Sequence, residues 1–169
     1  MNDQKHNKRT FSLWIEKHQA IIHKITMVYT NDSADREDLF QEICLQLWKA
    51  FPNFREEAKF STWMYRVSLN TAISNVRKNR NKPNFESLKG TEQIADRTHT
   101  DTEQIKLLYQ GISMLNSIDK AVILLWLEEK SYEEIAAIMG TSRTNVSTKL
   151  VRIKRKLEEL INNDEKQKS

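Results

Sequence analysis

The chain has few of the residues that turn a backbone sharply: three glycines and two prolines among 169 residues. Sheets built on many tight hairpins draw on such residues at their turns, so a sandwich or barrel is disfavoured and an all-α protein is expected. Cysteine is scarcer still, with Cys44 alone. That excludes a disulfide framework within the chain and fits a reducing compartment. Cys44 falls among apolar residues at helical spacing and reads as a packed thiol. No apolar run approaches the length of a bilayer-spanning helix, and the polar stretch Met1 to Thr10 lacks the apolar core of a secretory signal, so a cytoplasmic location is expected. The four histidines, His6, His18, His23 and His99, show no spacing that gathers metal ligands with cysteine or carboxylates. Neither a metal nor another cofactor is expected.

What the chain has in quantity is charge and helical periodicity. Charged residues make up 30% of it, with a net charge of +4. That balance suits a polyanionic partner but fits an ordinary solvated surface as well, so position matters more than the total. The length fits two small helical units. Phe11, Trp14, Ile15, Ile21, Ile22, Ile25, Val28 and Tyr29 recur on one stripe and define a first helix, with His18 interrupting the stripe. A second helix opens at Asp32 to Asp35, where short polar side chains can cap free amides, and carries Leu39, Phe40, Ile43, Cys44, Leu47, Trp48 and Phe51 inward. Its other face presents Asp35, Glu37, Asp38, Gln41, Glu42 and Lys49, an acidic and amide-rich strip that suits either solvent or a docking protein.

Pro52 ends the second helix, and the segment NFREEAKFS, Asn53 to Ser61, reads as a loop. A third helix from Ser61 or Thr62 is expected to bury Trp63, Met64, Val67, Ile73 and Val76. Its other face would show Tyr65, Arg66, Asn70, Ser74, Arg77, Lys78 and Arg80. Aromatic rings with arginines and amides can stack on unpaired bases and neutralise phosphates, although a basic helix end is also favoured by the helix dipole alone. The apolar period then fades, and Asn, Lys, Pro, Gly and Thr accumulate. This separates a first unit, 1–80, from a linker, 81–103, and a second unit, 104–169.

In the second unit Ile105, Leu108, Ile112 and Leu115 form one helix, and Ile118, Val122, Leu124, Leu125 and Leu127 the next. Ser131-Tyr132-Glu133-Glu134 is a capping box opening a short helix through Ile135, Ala136 and Ile138. Gly140 supplies the backbone freedom to stop it, and Ser142 can cap a last helix striped by Val146, Leu150, Ile153, Leu157 and Leu160. The polar tail after Ile161 is expected to fray. The pattern is helix, tight turn, helix. Its outward residues Arg143, Thr144, Asn145, Thr148, Lys149, Arg152 and Lys156 suit base edges and phosphates in a major groove. A basic amphipathic helix paired with another protein is the competing reading, and the glycine turn between two caps favours DNA.

Two separated motifs resemble those of the extracytoplasmic-function sigma factors of the sigma-70 family. The first is Asp35-Arg36-Glu37-Asp38-Leu39-Phe40-Gln41-Glu42-Ile43, followed by Phe60-Ser61-Thr62-Trp63-Met64-Tyr65-Arg66-Val67 and Asn70. The second is Ser131-Tyr132-Glu133-Glu134-Ile135-Ala136 with Gly140, Ser142, Val146 and Leu150. Departures from the family pattern fall at Asn116, often proline, and at Ser147-Thr148-Lys149, often Lys-Ser-Arg. The resemblance implies two helical domains, regions 2 and 4, and a protein that directs core RNA polymerase to promoters without catalytic residues of its own. It implies polymerase docking on the beta-prime clamp helices through Asp35, Asp38, Gln41 and Glu42, with a further contact to the beta flap. It implies capture of the opened minus-ten element by Phe54, Arg55, Lys59, Phe60, Trp63, Arg66, Asn70 and Arg77. It also implies reading of the minus-thirty-five element by Ser142, Arg143, Thr144, Asn145, Thr148, Lys149, Arg152 and Lys156. Promoter DNA and an anti-sigma factor, which some members tether to a membrane, are the implied partners, and no small-molecule substrate is implied.

Two other classes compete with this reading. A conventional helix-turn-helix repressor would bind duplex DNA without polymerase. A metal-dependent nuclease using Asp35, Glu37, Asp38 and Glu42 is disfavoured, because those carboxylates crowd one stretch of helix with no inward-facing pair.

Overall fold

The structure is a computed structural model that describes residues 2–80 and 101–168. Every regular element among them is helical, and the chain divides into two compact units.

The first unit contains α1 (Asn2–Tyr29), α2 (Ser33–Ala50) and α3 (Phe60–Arg80), with a single 3-10 turn at Phe51–Asn53 after α2. Asp32 starts α2 by accepting a hydrogen bond from the Asp35 backbone N–H at 2.8 Å, a cap worth about 1 kcal/mol. Pro52 lies in the first turn of the 3-10 segment, where its missing N–H costs nothing and the α-helix cannot continue. The three helices pack on one another. Ile22, Ile25 and Val28 of α1 meet Leu39, Ile43 and Leu47 of α2 and Met64, Leu69 and Ile73 of α3 in the core. The i, i+4, i+8 spacing in α2 puts one apolar ridge on one side of the helix, and each such side chain contributes roughly 1.5–3 kcal/mol on burial. Tyr29 closes one end of this core, and burial pushes its phenol well above the ordinary tyrosine range, so the ring stays neutral.

Five positions in this unit differ from expectation. Tyr65 is buried, at 3% exposure, on the core face together with Leu69 and Ala72 rather than on the outward face. Trp63, Val67 and Val76 are only half-buried. Trp48 is 40% exposed, because one edge of its ring rests on Phe11, 5.0 Å between centroids, while the outward side of α2 leaves the rest in solvent. Helix α3 also begins earlier than expected, at Phe60, and runs through Arg80.

The second unit contains α4 (Asp101–Ser113), α5 (Ser117–Leu127), α6 (Tyr132–Met139) and α7 (Arg143–Lys168). Asn116 caps α5, its Oδ1 accepting from the Asp119 backbone N–H at 2.9 Å. The hairpin of α5 and α6 packs on α7, and α4 packs across both α5 and α7. Gly111 allows α4 to come close to α7, because a Cβ built there would stand 3.0 Å from Leu157 Cδ2. The core gathers Ile112, Leu115, Leu125, Ile135, Val146, Leu150 and Ile153.

Here too the pattern shifts. Leu115 is buried from the turn after α4, not from within it, whereas Ile105 is 46% and Leu127 38% exposed. Residues 101–103, read as linker, are the first turn of α4, and the tail beyond Ile161 continues α7 to Lys168 instead of fraying. A run without glycine or proline lets the helix propagate past its last apolar anchor. The rest of the expected linker, 81–100, lies outside the described residues. No described helix is long and apolar enough to cross a membrane.

Candidate nucleic-acid interface

The α6–turn–α7 motif is built by reciprocal caps. The Ser131 hydroxyl accepts from the Glu134 backbone N–H at 3.2 Å, and the Glu134 carboxylate accepts from the Ser131 backbone N–H at 2.8 Å. At the other end Gly140 takes φ 66° and ψ 40°, the left-handed conformation that glycine adopts without a steric penalty. The N–H groups of Gly140 and Thr141 both reach the Ala136 carbonyl and close α6. Ser142 Oγ then accepts from the Asn145 backbone N–H at 3.1 Å and opens α7. Asn145 is tied back to the turn as well, donating from Nδ2 to Thr141 Oγ1 at 2.8 Å.

On α7 the buried stripe of Val146, Leu150, Ile153 and Leu157 fixes which side faces solvent. At about 100° per residue, Thr144, Thr148 and Arg155 lie roughly opposite that stripe, with Arg152 beside them. All four are exposed. Thr148 donates to the Thr144 carbonyl at 3.0 Å, which leaves its hydroxyl oxygen free to accept. Lys156 and Asn145 are exposed further round. Arg143 and Lys149 lie instead on the two margins of the buried stripe, and each meets a carboxylate of a neighbouring helix. Arg143 Nε stands 2.6 Å from Glu133 Oε1 of α6, with its guanidinium 5.8 Å from the Tyr132 ring centre. Lys149 Nζ stands 3.9 Å from Asp119 Oδ1 of α5. The Glu133 carboxyl is held below the usual carboxylate range, first by its own backbone N–H and then by Arg143 and the Ser131 hydroxyl. Arg155 completes the outward face one turn beyond Arg152. It was missed in the sequence, although its i+3 spacing from Arg152 is a readable signal.

In the first unit, the loop after α2 and the start of α3 bring Phe54, Phe60 and Trp63 into one cluster. Their ring centroids are 5.0 Å (Phe54–Trp63), 5.3 Å (Phe60–Trp63) and 5.6 Å (Phe54–Phe60) apart. Trp14 of α1 packs on Phe60 at 4.6 Å and on Phe51 at 5.9 Å. The three rings are half-buried, so the loop has a packed aromatic floor, while Arg55 and Lys59 are exposed on it. Arg66, Asn70 and Arg77 are exposed along one face of α3, starting one turn beyond Trp63.

The acidic strip on α2 adjoins that face. An open groove of about 640 Å³ runs between α2 and α3, lined by Asp38, Glu42 and Gln46 on one wall and Asn70, Ser74 and Lys78 on the other. Asp35 and Gln41 are exposed on α2 outside the groove lining. Partial burial, and then the charges of Asp32 and Asp38, raise the Asp35 carboxyl above the ordinary aspartate range. Leu45 at 44% exposure and Trp48 stand on the same outward side, one and two turns beyond Gln41. Periodicity alone had left Leu45 unassigned and placed Trp48 in the core. Among the described residues no group of three or more His, Cys, Asp or Glu side chains could hold a metal ion.

A helical unit with an acidic strip and an aromatic-basic loop, joined in one chain to a DNA-reading helix-turn-helix, defines a two-part transcription initiation factor. The comparisons agree: the sigma-70 region 2 model matches residues 14–82 and the sigma-70 region 4 model residues 105–157. The chain is 30% identical to the ECF RNA polymerase sigma-E factor of Escherichia coli strain K12, over 94% of this chain and 92% of that protein. It is 28% identical to the RNA polymerase sigma-H factor of Pseudomonas aeruginosa, over 85% of this chain and 83% of that one. The sigma factor RpoE of Bartonella quintana, solved with the anti-sigma factor NepR, shares the fold with a TM-score of 0.71 at 18% identity, covering 91% and 98% of the two chains. CnrH, solved with the cytosolic domain of CnrY, gives a TM-score of 0.67 at 20% identity, covering 93% and 90%. The chain belongs to the extracytoplasmic-function sigma factors of the sigma-70 family. Its function is that of an alternative sigma factor in transcription initiation, and the repressor reading is not favoured, because residues 14–82, most of the first unit, match region 2.

Proposed function

We propose that the two units divide promoter recognition between them: residues 1–80 dock on core RNA polymerase and hold the opened minus-ten strand, and residues 104–169 read the minus-thirty-five duplex. The observation that carries this most directly is the outward face of α7, where Thr144, Thr148, Arg152 and Arg155 are exposed on a helix fixed at its start by Gly140 and Ser142. Donors and cations so placed can reach base edges and phosphates in a major groove. Arg143, Asn145, Lys149 and Lys156 flank them. Arg152→Ala or Arg155→Ala should weaken binding uniformly across sequences and lower the salt slope by about one if the side chain touches phosphate. A loss of roughly 1–3 kcal/mol confined to one position of the site would instead mark a base contact. Unchanged binding by both variants would remove the assignment.

In the first unit, Phe54, Phe60 and Trp63 supply a packed surface on which an unstacked base can rest. Arg55, Lys59, Arg66, Asn70 and Arg77 line the path of the strand, in the manner of single-strand sites that pair stacking with a basic track. Asp35, Asp38, Gln41 and Glu42 form the polymerase contact on the clamp helices, joined by the exposed Leu45 and Trp48, since an apolar centre with a charged rim is the usual anatomy of such an interface. Glu42→Lys should weaken affinity for core polymerase while leaving duplex binding by α7 intact. Equal polymerase affinity in mutant and wild type would refute the contact.

No residue acts as a catalyst in this reading: stacking and phosphate contacts offset the cost of unpairing a few base pairs. The site of action is cytoplasmic, with the polymerase. The beta flap remains the partner proposed for the second unit. RpoE was solved with the anti-sigma factor NepR and CnrH with the cytosolic domain of CnrY, which supports an anti-sigma factor, membrane-tethered or free, as the regulator of this chain.

A further inference from the structure

Lys149 differs from the outward-facing cations of the reading helix. Arg152, Arg155 and Lys156 are exposed, whereas the Lys149 side chain is 25% exposed and that of its partner Asp119 19%. The Asp119 carboxylate is itself fixed: Asn116 Nδ2 donates to its Oδ2 at 3.0 Å, and its own backbone N–H is bound by Asn116 Oδ1 at 2.9 Å. One carboxylate oxygen is therefore held by the α5 cap and the other is turned to Lys149 Nζ, 3.9 Å away. At about 100° per residue, Lys149 sits roughly 70° from the centre of the buried stripe of α7, a margin from which its stem can lie along α5 or swing out toward a groove. At the opposite margin Arg143 is countered by Glu133 in the same way, though both of those side chains are 66% exposed.

We propose that Asp119 is a selectivity-determining residue of the DNA reader: it holds Lys149 against α5 and so withholds one positive charge from sequence-independent attraction to phosphate. The inference rests on α7 being the reading helix. Phosphate attraction supplies nearly all non-specific affinity, and each cation that engages a phosphate adds about 0.9 to the salt slope. A lysine already neutralised at short range adds little until a well-fitted site competes for it. Asp119 thereby lowers affinity for the mass of unrelated duplex more than for the cognate site, which raises the ratio between the two. Asn116 is the positioning residue that aims the carboxylate.

The test uses the full chain and a labelled mixed-sequence duplex, with anisotropy followed between about 50 and 200 mM salt. Asp119→Asn keeps the shape and the backbone cap while removing the charge. It should tighten non-specific binding about two- to fivefold, the range of an exposed or half-exposed ion pair, and steepen the slope by about 0.9. In a Lys149→Gln background the same substitution should do nothing, because Asp119 acts only through that ammonium. Equal tightening in both backgrounds would mean plain repulsion between Asp119 and DNA and would overturn the proposal, as would no tightening in either. If Arg152→Ala and Arg155→Ala also leave binding unchanged, α7 is not the reader and both inferences fall together. Amide exchange in α5 and α7 that matches the wild type shows that Asp119→Asn leaves the fold intact.

Discussion

Two helices of the second unit end in the same way with different residues, and the pair makes a stability experiment with a built-in control. Helix α5 closes with the Lys130 N–H on the Leu125 carbonyl, and α6 with the Thr141 N–H on the Ala136 carbonyl. The residue at the turn is left-handed in both: Glu129 with φ 59° and Gly140 with φ 66°. An L side chain in that region costs roughly 1–2 kcal/mol, while glycine loses about 0.5–1 kcal/mol of extra backbone freedom on folding. Nothing lies within 4 Å of a Cβ built on Gly140, so an alanine there meets no steric clash and feels the backbone term alone. The difference of the two terms predicts that Gly140→Ala destabilises the second unit by about 0.5–1 kcal/mol and that Glu129→Gly stabilises it by about the same. The double variant should return near the wild type, because the two turns share no hydrogen bond. Amide exchange at Leu150 and Ile153, buried in that unit, reads its opening energy separately from the first unit. Two shifts of the same sign, or a Gly140→Ala loss several times larger, would refute the argument and point to a hidden steric or electrostatic role for one turn.

Two further outcomes follow from buried or paired groups. Ser68 is fully buried and its Oγ has no hydrogen-bond partner, so Ser68→Ala should stabilise the first unit by about 1 kcal/mol, read as a higher urea midpoint at unchanged slope; a lower midpoint would contradict it. The Glu133 carboxyl is depressed in the fold, so its stabilising effect is present above the unfolded value and is lost as pH falls through the folded one. Arg143→Ala should move its titration, followed by side-chain NMR, toward the reference 4.5 without reaching it, because the hydrogen bond from its own backbone N–H, the larger effect, remains. No movement would show that the 2.6 Å pair does not persist in solution.

The turns and caps were the most legible part of the sequence. Asp32, Ser131, Gly140 and Ser142 act where their side chains or their φ angle allow, since a cap is a local event that needs only its own four residues. Faces were harder. The sequence pattern placed Tyr65 outward, although it shares the middle of the buried face of α3 with Leu69 and Ala72, and placed Trp48 inward because it lies near the edge of an apolar stripe, where the neighbouring helix decides. Tyr65 meets the core, whereas Trp48 rests one edge on Phe11 and leaves 40% of its surface exposed. Helix ends without apolar anchors, such as residues 162–168 of α7 and the first turn of α4, carry no periodic signal. Among the candidate site residues, exposure on α7 was readable from the 3.6-residue period for Thr148 and Arg152. The tethering of Lys149 to Asp119 was not, because it joins residues 30 apart on two helices and depends on how those helices pack. The aromatic floor under the loop was equally hidden, since Trp14 reaches it from α1, remote in sequence.

The central claim is that one chain docks on polymerase and chooses its promoters. The most direct test adds the purified chain to core RNA polymerase and maps transcription starts from a library of genomic fragments. The account predicts chain-dependent starts that share upstream sequence and disappear with Glu42→Lys. Tight duplex binding with no binding to core and no new starts would contradict it.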